Sequence, residues 1–306
     1  MKPHTLPLSS EAQRQQGFSL VELAMVLLVV GLLAGLFLPA TNTMLDNNRR
    51  KETRAKLEAL EAAMTRFVMT NRRLPCPADG SLAPGDANQG LALPAVGVCT
   101  VPALTNGVVP WRTLGIAQTD AMDAWGNLVT YRVWGAGVAN ALTLVNGMDM
   151  SDCDPAGAGL TNVGACRADN TTSPLNWLTV DGTANSRGFR ACNASPCNAG
   201  DPAAELASKV NGNGVAYFLI SHGANKFGGF NPSGTLTPAS GAGPGPLENI
   251  NQNGQPIRTA FPNGDFYVDA DLNENPDLAT YYDDIVLRPA VMKVALDAGL
   301  GPRVPP

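Results

Sequence analysis

Histidine is the scarcest chemistry-bearing residue here, with only His4 and His222 in 306 residues. Metal centres built from several imidazoles need more ligands than that, and so does a mechanism that passes protons between paired histidines. No C-x-x-C pair is present, which removes the usual spacing of a zinc cluster. No G-x-S-x-G elbow is present either, so the neighbouring Ser221 and His222 carry no hydrolase signature and His222 reads as structural. The chain is therefore read as a non-enzyme. Charged residues are few, at 15%, which turns attention to where they sit.

The net charge is −5 and unevenly spread. Residues 1–17 carry net +1, residues 18–75 eight basic against five acidic side chains, and residues 76–306 eleven basic against twenty acidic ones, a net of −9. So acidic a C-terminal part repels phosphate backbones, and nucleic-acid binding is not expected of it. With 44% hydrophobic residues, 32 Gly and 24 Pro, the chain is neither disordered nor fibrous. Its length supports one large domain or two modest ones, rich in turns.

Residues 18–38, FSLVELAMVLLVVGLLAGLFL, form an apolar run of 21 residues. At ~1.5 Å per residue they make a helix of roughly 31 Å, the thickness of a bilayer's hydrocarbon core. The polar leader 1–17 is expected on the cytoplasmic side, but Arg49, Arg50 and Lys51 beyond the run leave a plain charge count ambiguous. A cleaved secretory signal is the alternative; the run is long for one, and no clear A-x-A site follows it, although Leu38-Pro39-Ala40 keeps that option open. Gly31 and Gly35 form a G-x-x-x-G step, a weak sign of close helix approach. Glu22 is the one charge inside the run. A carboxylate in lipid costs about 2.5–3.5 kcal/mol on insertion scales, so it implies either a place near the interface or a partner.

Gly17-Phe18-Ser19-Leu20-Val21-Glu22-Leu23, after a short charged leader and before an unbroken apolar run, resembles the processing motif of type IV prepilins and type II secretion pseudopilins. The resemblance implies cleavage between Gly17 and Phe18 by a prepilin peptidase and N-methylation of Phe18. It also implies a role for Glu22 in recruiting the next subunit. Charge matching gives that role a physical basis: the Glu22 carboxylate of one copy neutralises the Phe18 ammonium of another inside a low-dielectric helix bundle. Members of this family have a helix breaker near the position of Pro39, which is expected to kink or loosen the helix around Gly35–Pro39.

Beyond the run, Leu57, Leu60, Met64, Phe67 and Val68 recur at helical spacing while Arg54, Lys56, Glu58, Glu61 and Arg66 take other faces. This amphipathic stretch is expected to pack on a folded head and to stop before Pro75. Strands are expected at Leu128–Trp134, Leu175–Val180, Val215–Ser221 and Asp284–Arg288, with loop-rich insertions at 135–211 and 228–280. Asp123-Ala124-Trp125-Gly126-Asn127 followed by Tyr131, and Ser221-His222-Gly223-Ala224-Asn225 with Asp283-Asp284-Ile285-Val286, are similar to segments of pilin and major pseudopilin heads.

All six cysteines, Cys76, Cys99, Cys153, Cys166, Cys192 and Cys197, follow the apolar run. An even number suggests disulfides in an oxidising compartment and so an extracytoplasmic head. Of the possible pairings the sequential one is expected: Cys76–Cys99, Cys153–Cys166 and Cys192–Cys197. Acidic residues gather late in the chain. Asp269, Asp271 and Asn273 begin like a calcium loop, but Glu274 stands where its glycine belongs and Thr280 where its bidentate Glu belongs. Some pseudopilins hold calcium in a late loop; otherwise no cofactor is expected, and a solvated acidic loop is the plain alternative.

The expected organisation is a leader (1–17), a transmembrane helix (18–38), an amphipathic helix (39–75) and a disulfide-containing, β-rich extracytoplasmic head (76–306). The fold class is α+β and pilin-like: a long N-terminal helix packed on an antiparallel sheet. The resemblance implies a minor or tip-proximal subunit of a type IV pilus or type II secretion pseudopilus, stored as a single-pass inner-membrane protein with its N-terminus cytoplasmic and its head periplasmic. Its expected partners are prepilin peptidase, other pilin or pseudopilin subunits and the inner-membrane assembly platform. A surface adhesin or substrate-binding module is the alternative, and a membrane-anchored periplasmic enzyme a more distant one.

Overall fold

The computed structural model describes residues 19–134, 141–151, 188–194, 205–207, 214–237, 245–255, 266–275 and 281–301, with the side chains of 34–43 and 205 left aside. The leader, Gly17, Phe18, Cys153, Cys166, Cys197 and the expected strand Leu175–Val180 lie outside the described residues.

Helix α1, Leu20–Asn71, comprises 52 residues and does not end at Pro39. At its start the Ser19 hydroxyl accepts from the Val21 amide at 3.3 Å, meeting one of the amides that the first turn leaves free. At its end Arg72 turns into the left-handed region (φ 54°), and Pro75 follows before the helix can resume. The chain forms two compact units, Met1–Asn47 and Asn48–Pro306. In the first, the described side chains of α1 are exposed, from Leu20 at 85% to Leu33 at 46%. Among the described residues no helix is long and apolar enough to cross a membrane; the described side chains of the apolar run stop at Leu33.

In the second unit, the rest of α1 buries Leu57, Leu60, Met64 and Val68, four of the five residues picked out by periodicity. Phe67 lies about 100° round from Val68, at the edge of the stripe, where it is half-buried with the Arg73 guanidinium 5.2 Å above its ring. The main sheet takes strands β1 (Ala78–Asp79), β2 (Gly107–Val108), β3 (Thr130–Val133), β6 (Tyr217–Ser221) and β8 (Ile285–Leu287) in the order β1-β2-β3-β6-β8. All its pairings are antiparallel. Short helices α2 (Val101–Thr105) and α3 (Trp111–Leu114) lie between these early strands in the chain, and α5 (Val291–Asp297) follows β8. Lys293 of α5 bonds Glu61 of α1 at 2.6 Å.

Strands β3 and β6 are buried on both faces, so a layer is needed on each side. On one side lies α1; on the other lies a second sheet built from β4 (Arg190–Cys192), β5 (Glu205–Ala207) and β7 (Phe266–Val268). Its order is β5-β4-β7, with β4 and β7 parallel. Strands β4 and β5 come from one expected insertion and β7 from the other, so the two excursions meet and complete each other. Side chains alternate across them. Ala191 and Tyr267 join the main core, where Tyr267 packs on Phe218 and Phe189 at centroid distances of 5.0 and 5.2 Å. Cys192, Phe266 and Val268 face a smaller cluster with Ile250 and Tyr282, beneath α4 (Glu248–Asn251).

Cys76 and Cys99 form a disulfide, the expected pairing. Cys192 is disulfide-bonded as well, to a cysteine outside the described residues, and no cysteine is free among those described.

Candidate functional site

Two places combine polar chemistry with an unusual setting: the start of α1 and a carboxylate cluster behind the end of β6. At the first, Glu22 occupies the opening turn of α1, where its charge complements the helix dipole. Around it Leu20, Val21, Leu23, Met25, Val26 and Leu27 are all exposed. At Gly31 a methyl group would meet nothing within 4 Å. Among the described residues nothing covers this apolar surface, and exposed apolar surface of such extent marks contact with another phase or another molecule.

In the head, the two motif segments are wired together. Asp123 Oδ1 accepts from the amides of Trp125 and Asn127, both at 2.9 Å, which ties the turn at Gly126 (φ 87°). Its Oδ2 accepts from the Ser221 hydroxyl at 2.8 Å, joining that turn to the end of β6. Burial pushes the Asp123 carboxyl up, against the donors from Asn127, Ser221 and Trp125 that pull it down. The Arg50 guanidinium lies 5.9 Å over the Trp125 ring and pairs with Glu274, while Thr53 Oγ1 accepts from the Ala124 amide. The aspartate, tryptophan and glycine of this motif thus lock a turn against α1.

Immediately after β6 the chain turns through Gly223 (φ 55°), where a Cβ would collide with the Asp283 carbonyl and carboxylate. That close approach lets Asp283 Oδ2 accept from the amides of Ala224 and Asn225 at 2.8 and 3.0 Å, and from the Tyr281 hydroxyl at 3.1 Å. Glu248 of α4 accepts from Asn225 Nδ2 at 2.7 Å and from the Asp283 amide at 3.1 Å. Asp284 Oδ2 accepts from Asn251 Nδ2 at 2.8 Å. One oxygen from each of Glu248, Asp283 and Asp284 lies within 4.8 Å of the others, and all three residues are buried. Burial, then the Asp284 charge, drive the Glu248 carboxyl up to about 9, and burial also raises Asp284.

The cluster invites a catalytic interpretation that its setting opposes. Thr130 Oγ1 lies 2.8 Å from His222 Nε2, and His222 Nδ1 lies 3.5 Å from Asp284 Oδ1, a hydroxyl–imidazole–carboxylate series. All three residues are buried, and Thr130 Oγ1 also takes a bond from Asn253 Nδ2, so the hydroxyl is neither open to a substrate nor free.

The late-loop residues proposed from sequence lie elsewhere. Asp269 Oδ2 is taken by Arg288 Nε at 2.6 Å, and Asn273 Oδ1 closes a local turn through the Asn275 amide while its backbone bridges to Tyr282. Asp271 is exposed. A family-implied calcium is therefore better tested against the three-carboxylate cluster, where Asp283 Oδ1 is buried without a hydrogen bond and Asp284 Oδ1 faces His222 Nδ1 at 3.5 Å. Three clustered carboxylates with an unbonded Asp283 Oδ1 fit a hard cation. Sequence reading missed Glu248, which looks like an ordinary surface acid; its setting between Pro246-Leu247 and Ile250 was the available signal.

Comparison with known proteins agrees with the first of these places. The family described as "Prokaryotic N-terminal methylation motif" matches residues 12–38. The chain is also similar to the type II secretion system core protein G of Klebsiella pneumoniae, 34% identical over 68 residues, which is 22% of this chain and 49% of that protein. The chain thus spans about half the length of this curated relative. No solved structure matches. The class so defined is an α+β protein with a methylation-motif helix and an antiparallel sheet. Its N-terminal segment carries that methylation motif and, over 68 residues, the chain is similar to a type II secretion system core protein.

Proposed function

We propose that the chain is a structural subunit of a type IV pilus or type II secretion pseudopilus. A prepilin peptidase cleaves it between Gly17 and Phe18 and methylates the new Phe18 amine. Before assembly it is a single-pass inner-membrane protein, its head periplasmic; afterwards its helix packs among those of other subunits, delivered by the inner-membrane assembly platform. The observation that carries this reading is the exposed apolar surface from Leu20 to Leu33 with a single carboxylate, Glu22, in its first turn. Removing that surface from contact with water favours helix association or membrane residence, and placing Glu22 beside a Phe18 ammonium offsets the burial of both charges. The disulfides support an oxidising location for the head. The two excursions enlarge the head beyond a minimal one, which favours a minor or tip-proximal place.

A purely structural role needs no active site. A second reading, a surface adhesin or substrate-binding module, is favoured by the extra sheet β5-β4-β7 that the excursions build. Two variants test the first reading. Gly17→Asp is expected to block maturation when coexpressed with a prepilin peptidase, read as the intact precursor mass; normal trimming of this variant removes the assigned cut. Glu22→Ala is expected to mature normally yet to vanish from sheared filaments. Its full recovery there would count against charge matching and favour the second reading.

A further inference from the structure

We propose that the groove between α1 and the edge strand β8 receives Asp271 and Leu272 of a second copy of this chain, each copy filling the groove of the other. This goes beyond the filament reading and does not rest on it. The main sheet ends at β8, so among the described residues no further strand lies beside it. Between that strand and α1 is an open space of about 210 Å³. Leu57 and the strand residues 285–287 line it with apolar side chains, and Arg54 and Glu58 supply its charges. An apolar cavity of ~150 Å³ takes up a benzene molecule, so this space admits a leucine side chain. Lys51 lies three residues before Arg54 on the same side of the helix, which makes one end of the groove positive while Glu58 marks the other.

Charge identifies the occupant. Lys51 and Arg54 are exposed and, among the described residues, enter no ion pair, whereas Arg50, Lys56, Arg72, Arg288 and Lys293 each have an acid. Cations at one end of an apolar groove suit a guest that carries an acid immediately before an apolar side chain. The acidic head offers such a guest. Asp271 is exposed and in no ion pair among the described residues, and Leu272 beside it is 52% exposed. Both flanks are pinned: Asp269 is held by Arg288, the Asn273 backbone bridges to Tyr282, and Glu274 pairs with Arg50. Docking therefore costs little ordering. The Glu274 pair also sets the guest close to its own copy's groove, because Arg50 lies about one helical turn before Arg54. Complementary patches side by side suit an isologous contact, in which each copy gives and receives the same group. Such a contact closes on itself, so it belongs to unassembled chains. Two leucines and two ion pairs make a small interface, and the association is weak and transient.

Cross-linking between copies tests this. The full chain in detergent micelles is prepared as Leu272→Cys and, separately, as Leu287→Cys; the two are mixed and treated with a short thiol-specific cross-linker. A mixture of Val145→Cys, exposed on the segment that meets the far end of α1, with Leu287→Cys measures chance encounters within a micelle. The first mixture is expected to give ~10-fold more linked dimer than the second. Asp271→Lys added to the Leu272→Cys copy, or Arg54→Glu added to the Leu287→Cys copy, should each lower that yield by ~10-fold, because like charges then meet at the groove. Both changes together should restore it. The contact is overturned by a yield no higher than the Val145 control, by a yield that Asp271→Lys leaves unchanged, or by no recovery in the swapped combination. Should Leu287→Cys fail to fold, Glu58→Cys, exposed on the same groove, takes its place with the same expected outcomes. No filament enters the measurement, so its failure leaves the filament reading standing.

Discussion

The two parts of α1 carry similar apolar residues in opposite settings. From Leu20 to Leu33 they stand exposed around the helix, and from Leu57 to Val68 they are buried along one stripe. Charge makes the difference. The second part interleaves Arg54, Lys56, Glu58, Glu61 and Arg66 with its apolar positions, so one face can turn to the head and the rest to water. The first part has no polar face at all apart from Glu22, so no single packed layer could satisfy it. One helix therefore combines a stripe that completes its own head with an apolar segment exposed on every side.

The largest effect that sharpens this contrast is in the buried stripe. Leu60→Ala or Met64→Ala should destabilise the head by ~2–5 kcal/mol, whereas Leu27→Ala should change head stability by less than ~0.5 kcal/mol; denaturant unfolding followed by tryptophan fluorescence measures both. An equal loss from Leu27→Ala would erase the distinction between the two parts. A middling effect is expected from pH. In chelator, the head should lose stability steadily as pH rises from the ordinary Glu248 value of 4.5 towards about 9, because over that window folding takes up a proton. Glu248→Gln should flatten that slope in the pH dependence of the melting temperature. The smallest effect is at the solvated face of α1: Lys56→Ala, which breaks the 3.1 Å pair with Glu52, should cost only a few tenths of a kcal/mol in the same unfolding assay.

What was legible in the sequence is what is local. The apolar run with its lone Glu22 and the period of the amphipathic stripe lie within short windows, and Cys76–Cys99 follows from nearness along the chain. The strands β3, β6 and β8 fell within expected runs, trimmed at their ends. The second sheet was invisible because its strands are three residues each and its central parallel pairing joins Arg190 to Phe266. The late acids show the same limit. Asp269 and Asp271 are neighbours in sequence, but Asp269 is committed to Arg288, while Asp283 and Asp284 find their third carboxylate at Glu248, on a helix of another segment. The D-x-W-G-N segment was recognisable as a pattern, yet its work, a turn tied by Asp123 to both its own amides and Ser221, depends on a strand 98 residues away.

Because β4 lies between β5 and β7, neither excursion can be shortened alone without stripping a neighbour of its hydrogen-bonding edge and uncovering Phe218 beneath Tyr267. Anyone paring this head down, or transplanting its ornament onto a smaller one, has to treat the pair as a single graft: both are carried over together, or both are left behind.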